Sequence, residues 1–174
     1  MLSDLNRLFD RPDLKPRAMA AVIDISIAVL IIFGFVLIGL FAGGSFAFTG
    51  IMFLGSIVAF LFILLKDGLY YSASPGKKIM GLRVVSSSGN FINISQSAAR
   101  NFLPSLPFLA LAMFLLCNLA APYVGSVILF PAYAGFFVAI GLFCYDLFCM
   151  LNDREQGLRW GERTSNTLVT ESVD

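Results

Sequence analysis

Two long stretches of the chain carry almost no charge, and each contains a single aspartate. Asp24 is the only charged residue in 18–65, and Asp146 is the only one in 101–152. Because about 20 apolar residues cross the hydrocarbon core of a bilayer, each stretch is long enough to span a membrane twice. A carboxylate inside such a span is costly unless it is paired, protonated or hydrated, so both acids are candidate functional residues.

Composition agrees with an all-α membrane protein that has four transmembrane helices. The chain is 58% hydrophobic and only 13% charged, which excludes an ordinary soluble domain. Pro104 and Pro107 suit the start of a third helix, where a missing N–H costs little. The predicted spans are about residues 17–41, 46–65, 104–121 and 125–151, and a polar loop occupies 66–101.

The basic residues predict which way the helices cross. All twelve lysines and arginines lie in residues 1–17, in the loop or in the tail after the fourth span, and the connections 42–46 and 121–125 contain none. Basic residues concentrate in the cytoplasmic segments of membrane proteins. We therefore expect residues 1–16, the central loop and the C-terminus to be cytoplasmic.

The central loop is predicted to form a small cytoplasmic β-sheet between the second and third helices. Residues 79–85 are apolar and β-branched, 86–90 have turn chemistry, and 91–94 alternate with period two, which indicates a β-hairpin. An isolated hairpin is marginally stable in water, so residues 167–170, with strand character, are expected to add a third strand. Ser95 is predicted to cap a short helix that follows the hairpin.

Several function classes are not expected. The chain has no histidine, and its three cysteines form no C-x-x-C pair, so neither a metal site nor a cofactor is predicted. A net charge of +1 gives no reason to expect nucleic-acid binding. No nucleophile and base stand at a catalytic spacing, so we do not expect an enzyme.

Four segments together resemble the RDD family of bacterial membrane proteins, which is named for an arginine and two aspartates. The resemblance extends over about residues 14–170, which makes 17–170 an RDD-like transmembrane domain and 171–174 a tail. The segments are Arg17–Asp24, the Ser-Pro-Gly-Lys-Lys-Ile-Met-Gly-Leu-Arg-Val-Val run at 74–85, Ser95–Asn101 and 159–169.

The resemblance implies roles for three charged residues. Arg17 and Asp24 match the family's arginine and its first aspartate, and Glu162 stands where many relatives carry the second aspartate. The glutamate keeps the charge but lengthens the side chain by one methylene. The resemblance also implies a place in the bacterial inner membrane, and either cation/proton antiport, as some relatives suggest, or an accessory role.

Asp24 and Asp146 are the predicted sites for a proton or a cation. Arg17 lies seven residues before Asp24, so both fall on one helix face about 10 Å apart along the axis, where the arginine can tune the carboxylate. Alternatively, Asp24 accepts hydrogen bonds from Arg100, Asn118 or the backbone and only fixes helix packing. Asp146 either meets Asp24 at a similar depth, reaches the interface alone or pairs with Arg100.

The other charged residues are predicted to lie at the cytoplasmic surface of the membrane, as the two aspartates do. We expect at least one ion pair between different segments, most simply Arg100 with one of the two aspartates, and Glu162 in the same cluster. Lys77, Lys78 and Arg83 are predicted to face anionic lipid.

Two functions follow as hypotheses. One is transport of small cations and protons by the intramembrane carboxylates. The other is a non-catalytic accessory or scaffold subunit of a larger membrane complex. Four helices are few for an alternating-access transport pathway, so a homo-oligomer or a hetero-complex is expected. Membrane lipid is a further expected partner.

Overall fold

The computed structural model describes residues 13–69, 71–86, 88–152 and 159–171. In chain order its elements are α1 (Leu14–Phe41), α2 (Ser45–Leu69), α3 (Pro75–Ile79), β1 (Leu82–Ser86), α4 (Ile94–Val124), a 3-10 turn (Ser126–Ile128), α5 (Leu129–Asn152), α6 (Trp160–Ser165) and β2 (Thr167–Glu171). Helices α1, α2, α4 and α5 are long and apolar enough to cross a membrane. The prediction of a mostly helical protein with four candidate spans and a small sheet is confirmed.

The long helices pack in sequence order. α1 packs on α2, α2 on α4, and α4 on α5. Small residues permit the close approach of α1 and α2, where Ala28 and Ala59 are buried beside Ile63. Phe108 of α4 packs against the same cluster. This apolar core therefore lies between α1, α2 and α4.

α2 is longer than the sequence predicted. It continues to Leu69 instead of ending near residue 65, so Lys66 and Asp67 belong to its last turn. Both side chains are buried. The extra turn therefore buries Lys66 and Asp67, two charged residues that were predicted to begin a loop.

α4 also differs from its prediction, because a single helix replaces a short helix followed by a span. It is capped by Asn93, not Ser95: the Asn93 side chain accepts from the Gln96 N–H, and the Gln96 side chain accepts from the Asn93 N–H. Pro104 and Pro107 consequently lie inside the helix. The reciprocal cap starts the helix three turns earlier than the prolines suggested.

The predicted hairpin is wrong, but its proposed third strand is the true partner of β1. β1 pairs antiparallel with β2, from Leu82 opposite Glu171 to Ser86 opposite Thr167. The 91–94 segment contributes only a single bridge, from Phe91 to Val85. A longer strand cannot form there because the chain enters α4 at Ile94.

Two glycines let the short helices lie directly on the long ones. A Cβ at Gly76 of α3 would fall 2.2 Å from the Ala20 carbonyl oxygen of α1. A Cβ at Gly161 of α6 would fall 1.9 Å from the Arg100 carbonyl oxygen of α4. Pro104 has no N–H to donate to that carbonyl within the helix. Backbone thus meets backbone at both places, and no side chain could yield to make room.

Gly161→Ala is expected to destabilise the protein by about 1–3 kcal/mol, because overpacking forces the backbone of α6 away from α4. The measurement is unfolding of the purified protein in mild detergent. Gly141→Ala is the matched control, since no atom outside its own helix lies within 4 Å of a Cβ placed there. Equal stability of the two variants would contradict the close packing of α6 on α4.

Candidate functional site

Seven charged residues converge where α1, α2 and α4 meet the short helices, and we call this group the charged layer. Its members are Arg17, Asp24, Lys66, Asp67, Lys77, Arg100 and Glu162. They come from five helices and are linked by ion pairs between different segments, as the sequence analysis expected. The individual pairings, however, differ from those predicted.

Asp24 is held by three donors from two other segments. Its Oδ2 accepts from Lys66 Nζ at 2.7 Å and from Ser74 Oγ at 2.6 Å. Its Oδ1 accepts from the Gly76 N–H at 2.8 Å. Ser74 is also the N-cap of α3. The carboxylate of α1 therefore fixes both the end of α2 and the start of α3. A backbone N–H is among its partners, as expected if Asp24 serves to fix helix packing.

Asp67 forms the second centre of the charged layer. Its Oδ1 accepts from the Lys77 ammonium. Its Oδ2 accepts from Asn101 Nδ2 at 3.1 Å and lies 3.4 Å from Arg100 Nε. Asp67 thus joins α2 to α3 and α4 through three different donor groups.

Glu162 forms the third centre. It pairs with Arg17 at 2.8 Å and with Arg100 Nη2, and it accepts from the Arg159 N–H at 3.2 Å. Arg100 also donates to Thr167 Oγ1 at 3.1 Å. Glu162 therefore reaches arginines of both α1 and α4.

The surroundings shift the pKa values of two groups outside the spans. Burial lowers the pKa of Lys77 from its usual 10.5 to about 7, although Asp67 opposes the change. Burial alone would raise the pKa of Glu162, but Arg100, Arg17 and Arg159 outweigh it and hold the pKa below its usual value. Lys77 is therefore able to exchange its proton near neutral pH, while Glu162 stays ionised.

A cavity of about 20 Å³ lies inside the charged layer. This is enough for one water molecule. Five basic residues and two acids line it: Arg17, Lys66, Lys77, Arg100 and Arg159, with Asp24 and Glu162. Among the described residues, no group of three or more histidines, cysteines and acids is placed to hold a metal ion.

Asp146 lies near the third centre, where Arg159 and Glu162 act on it electrostatically. It is buried on α5, beside Arg159 and the backbone of Trp160 and Gly161. Neither of its carboxylate oxygens accepts a hydrogen bond of ordinary geometry from the described part of the chain. Within the described residues, no ion pair joins Asp146 to Arg100, and no hydrogen bond joins it to Asp24.

Several predicted roles need correction. Arg17 pairs with Glu162 and lines the same cavity as Asp24, so its tuning of Asp24 stays a prediction. Arg100 pairs with Asp67 and Glu162, not with Asp24 or Asp146.

The two lysines and the arginine that were predicted to face lipid differ in their burial. Lys77 is buried in the charged layer, so the prediction that it faces lipid is wrong. Lys78 is exposed, and Arg83 is partly buried on β1.

The sequence analysis missed Lys66, Asp67 and Ser74 as partners. One signal could have pointed to Asp67: a carboxylate in the last turn of a helix opposes the helix dipole and requires nearby cations. The pairing of Lys66 with Asp24 had no comparable local signal, because the two residues are 42 positions apart.

Comparison with known proteins identifies the family. The RDD family matches residues 11–159 of the chain. The chain belongs to the RDD family. Curated proteins and solved structures yield no match. The matched region includes Arg17 and Asp24, and Glu162 lies just beyond it. Together with four apolar helices, RDD membership indicates a membrane protein.

Lys66→Met is expected to destabilise the protein by about 3–5 kcal/mol, because it leaves the Asp24 charge buried without its cation. Adding Asp24→Asn should recover part of this loss, as the remaining side chain is neutral. Unfolding in mild detergent measures both effects. Lys15→Met, at an exposed lysine of α1, is the control. A Lys66→Met protein as stable as the control would contradict the importance of this ion pair.

Proposed function

We propose that this RDD protein exchanges protons for small monovalent cations across the bacterial inner membrane. In this arrangement four helices span the membrane, and both termini and the charged layer face the cytoplasm. The distribution of lysine and arginine supports the orientation, because the connections at 42–46 and 121–125 carry neither residue.

The observation that carries the proposal is the buried Lys77–Asp67 pair. Lys77 lines the cavity of the charged layer, and its pKa of about 7 leaves both protonation states populated near neutral pH. When the ammonium loses its proton, Asp67 loses its closest cation. A hard cation that takes the place of the Lys77 proton beside Asp67 can then use the carboxylate oxygens, the ligands that such ions prefer.

The charge balance favours exchange over simple binding. The charged layer holds four basic residues against three acids. Release of the Lys77 proton removes one positive charge, and a monovalent cation beside Asp67 restores it. The buried charge is therefore the same in both states, which avoids the large cost of changing it.

Asp24 has a supporting part in this mechanism. Its oxygens already accept from Lys66, Ser74 and Gly76, so a cation would have to displace one of these donors to bind there directly. It lines the same cavity and lowers the cost of a cation within it. Asp146, whose oxygens lack hydrogen bonds from the described residues, is the second acid available to carry a proton.

A sodium or potassium pulse is expected to raise the internal pH of proteoliposomes that contain the protein and a trapped pH dye. Lys77→Arg should abolish this response, because a guanidinium keeps its proton while preserving the charge. Asp67→Asn should also abolish it by removing the cation's ligand. Lys15→Arg, at an exposed lysine of α1, is the control and should respond as wild type does.

Two results would count against the proposal, and they are distinguishable. A wild-type protein that moves no protons would refute transport itself. A Lys77→Arg protein that is folded and moves as many protons as wild type would refute the assignment to Lys77 and Asp67. Thermal unfolding of each variant establishes that it is folded.

An accessory or scaffold role is the second candidate. It is favoured by the way Asp24, Asp67 and Glu162 clamp the polar segments to the spans, which produces a rigid surface suited to a partner. Purification from native membranes in mild detergent tests it. A stable hetero-complex is expected if the protein is an accessory subunit, whereas a pure homo-oligomer would exclude that role and support a self-contained transporter.

A further inference from the structure

A second cavity lies outside the charged layer, between the α2–α3 connection and β1. Its volume is about 230 Å³. Its lining is formed by Tyr71, Ala73, Lys78, Gly81, Leu82, Arg83 and Phe91. The adjacent lysines of α3 thus serve different sites, because Lys77 enters the charged layer and Lys78 lines this pocket.

The pocket carries positive charge without a compensating acid in its lining. Lys78 and Arg83 are its charged residues. The Arg83 Nε is buried and has no hydrogen-bond acceptor among the described residues. A buried donor without an acceptor costs free energy, most of all when it belongs to a charged group. The terminal N–H groups of the Arg83 guanidinium and the Lys78 ammonium are therefore the donors that this pocket offers to an anion with several acceptor oxygens.

Phosphate fits this donor set better than a simple halide does. A guanidinium presents its N–H groups as a planar fork that matches the oxygens of a phosphate. A lysine ammonium adds a second cation with three rotatable donors. The pocket combines one of each, and its volume exceeds what a single small ion requires.

The position of the pocket indicates where the phosphate comes from. Tyr71 follows the end of α2, a candidate membrane span, by two residues. Tyr71 and Phe91 are 85% and 69% exposed on the pocket. Aromatic residues concentrate at the level of the lipid headgroups, where one part of the ring meets acyl chains and another meets water. The pocket therefore lies where the headgroup of a phospholipid would be found.

We infer that this pocket binds the phosphate of an anionic phospholipid, with Arg83 and Lys78 as its donors. Arg83 donates to the phosphate oxygens through the terminal N–H groups of its guanidinium, and Lys78 donates from the pocket wall. Tyr71 and Phe91 pack against the glycerol and the first part of the acyl chains. This inference is independent of the proposed transport, since it uses none of the residues of the charged layer.

The test titrates phosphatidylglycerol, with phosphatidylcholine as the neutral comparison, into the detergent-solubilised full-length protein and counts bound lipid by native mass spectrometry. Wild type should prefer phosphatidylglycerol. Arg83→Gln and Lys78→Gln should each weaken its binding about fivefold, the effect of removing one basic residue near an anionic lipid. Lys15→Gln, at an exposed lysine of α1, is the matched control.

Arg83→Lys separates a specific pocket from general attraction between opposite charges. It keeps the charge but loses the planar fork of the guanidinium, so it should bind phosphatidylglycerol as weakly as Arg83→Gln does. Binding by Arg83→Lys equal to wild type would overturn the pocket as a phosphate site, and so would equal losses in Lys15→Gln and Arg83→Gln. If glycerol 3-phosphate displaces the lipid at equal concentration, the lipid assignment is overturned in favour of a soluble phosphate compound.

Discussion

A charge buried among the helices of a membrane protein must find its counter-charge within the protein, because the hydrocarbon core of the bilayer supplies none. Among the residues of the charged layer, Arg100 shows this constraint most clearly, because it pairs with acids of two other helices. Its guanidinium connects Asp67 of α2 with Glu162 of α6, and Glu162 in turn holds Arg17 of α1. One side chain on α4 therefore determines how two other spans and the C-terminal segment sit at the same end of the molecule.

Packing and charge depend on each other in this arrangement. The ion pairs of Lys77 and Glu162 form only if α3 and α6 lie directly on the long helices, and that closeness requires Gly76 and Gly161. The Gly76 N–H itself donates to Asp24. Backbone approach thus supplies one of the hydrogen bonds that make the buried carboxylate tolerable. Removing either the glycine or the charge would weaken both.

The neighbouring residues Lys77 and Lys78 belong to two different sites, one buried in the charged layer and one in the open pocket. Lys77 lies in the charged layer, where burial brings its pKa to about 7, and the proposed exchange of a proton for a cation uses this property. Lys78 lines an open pocket with Arg83, where charge serves to attract phosphate. The direction in which each lysine leaves the short helix α3 decides which chemistry it can perform.

The sequence by itself determined the membrane class, the four spans, the family and the presence of charges that must pair. These follow from local quantities, namely the lengths of apolar runs and the type of residue at each position. Asp24 and Glu162 were also identified as important in this way, although their partners were not.

Only the tertiary structure decided which charges meet. Asp24 and Lys66 are 42 positions apart, and β1 pairs with β2 across nearly half the chain, so no local pattern links them. The hairpin prediction failed for a different, local reason: the Asn93 cap starts α4 at Ile94, which leaves only a single bridge at Phe91 in place of a second strand. Counter-charges are chosen by proximity in the folded chain, and that proximity arises only when the helices have packed.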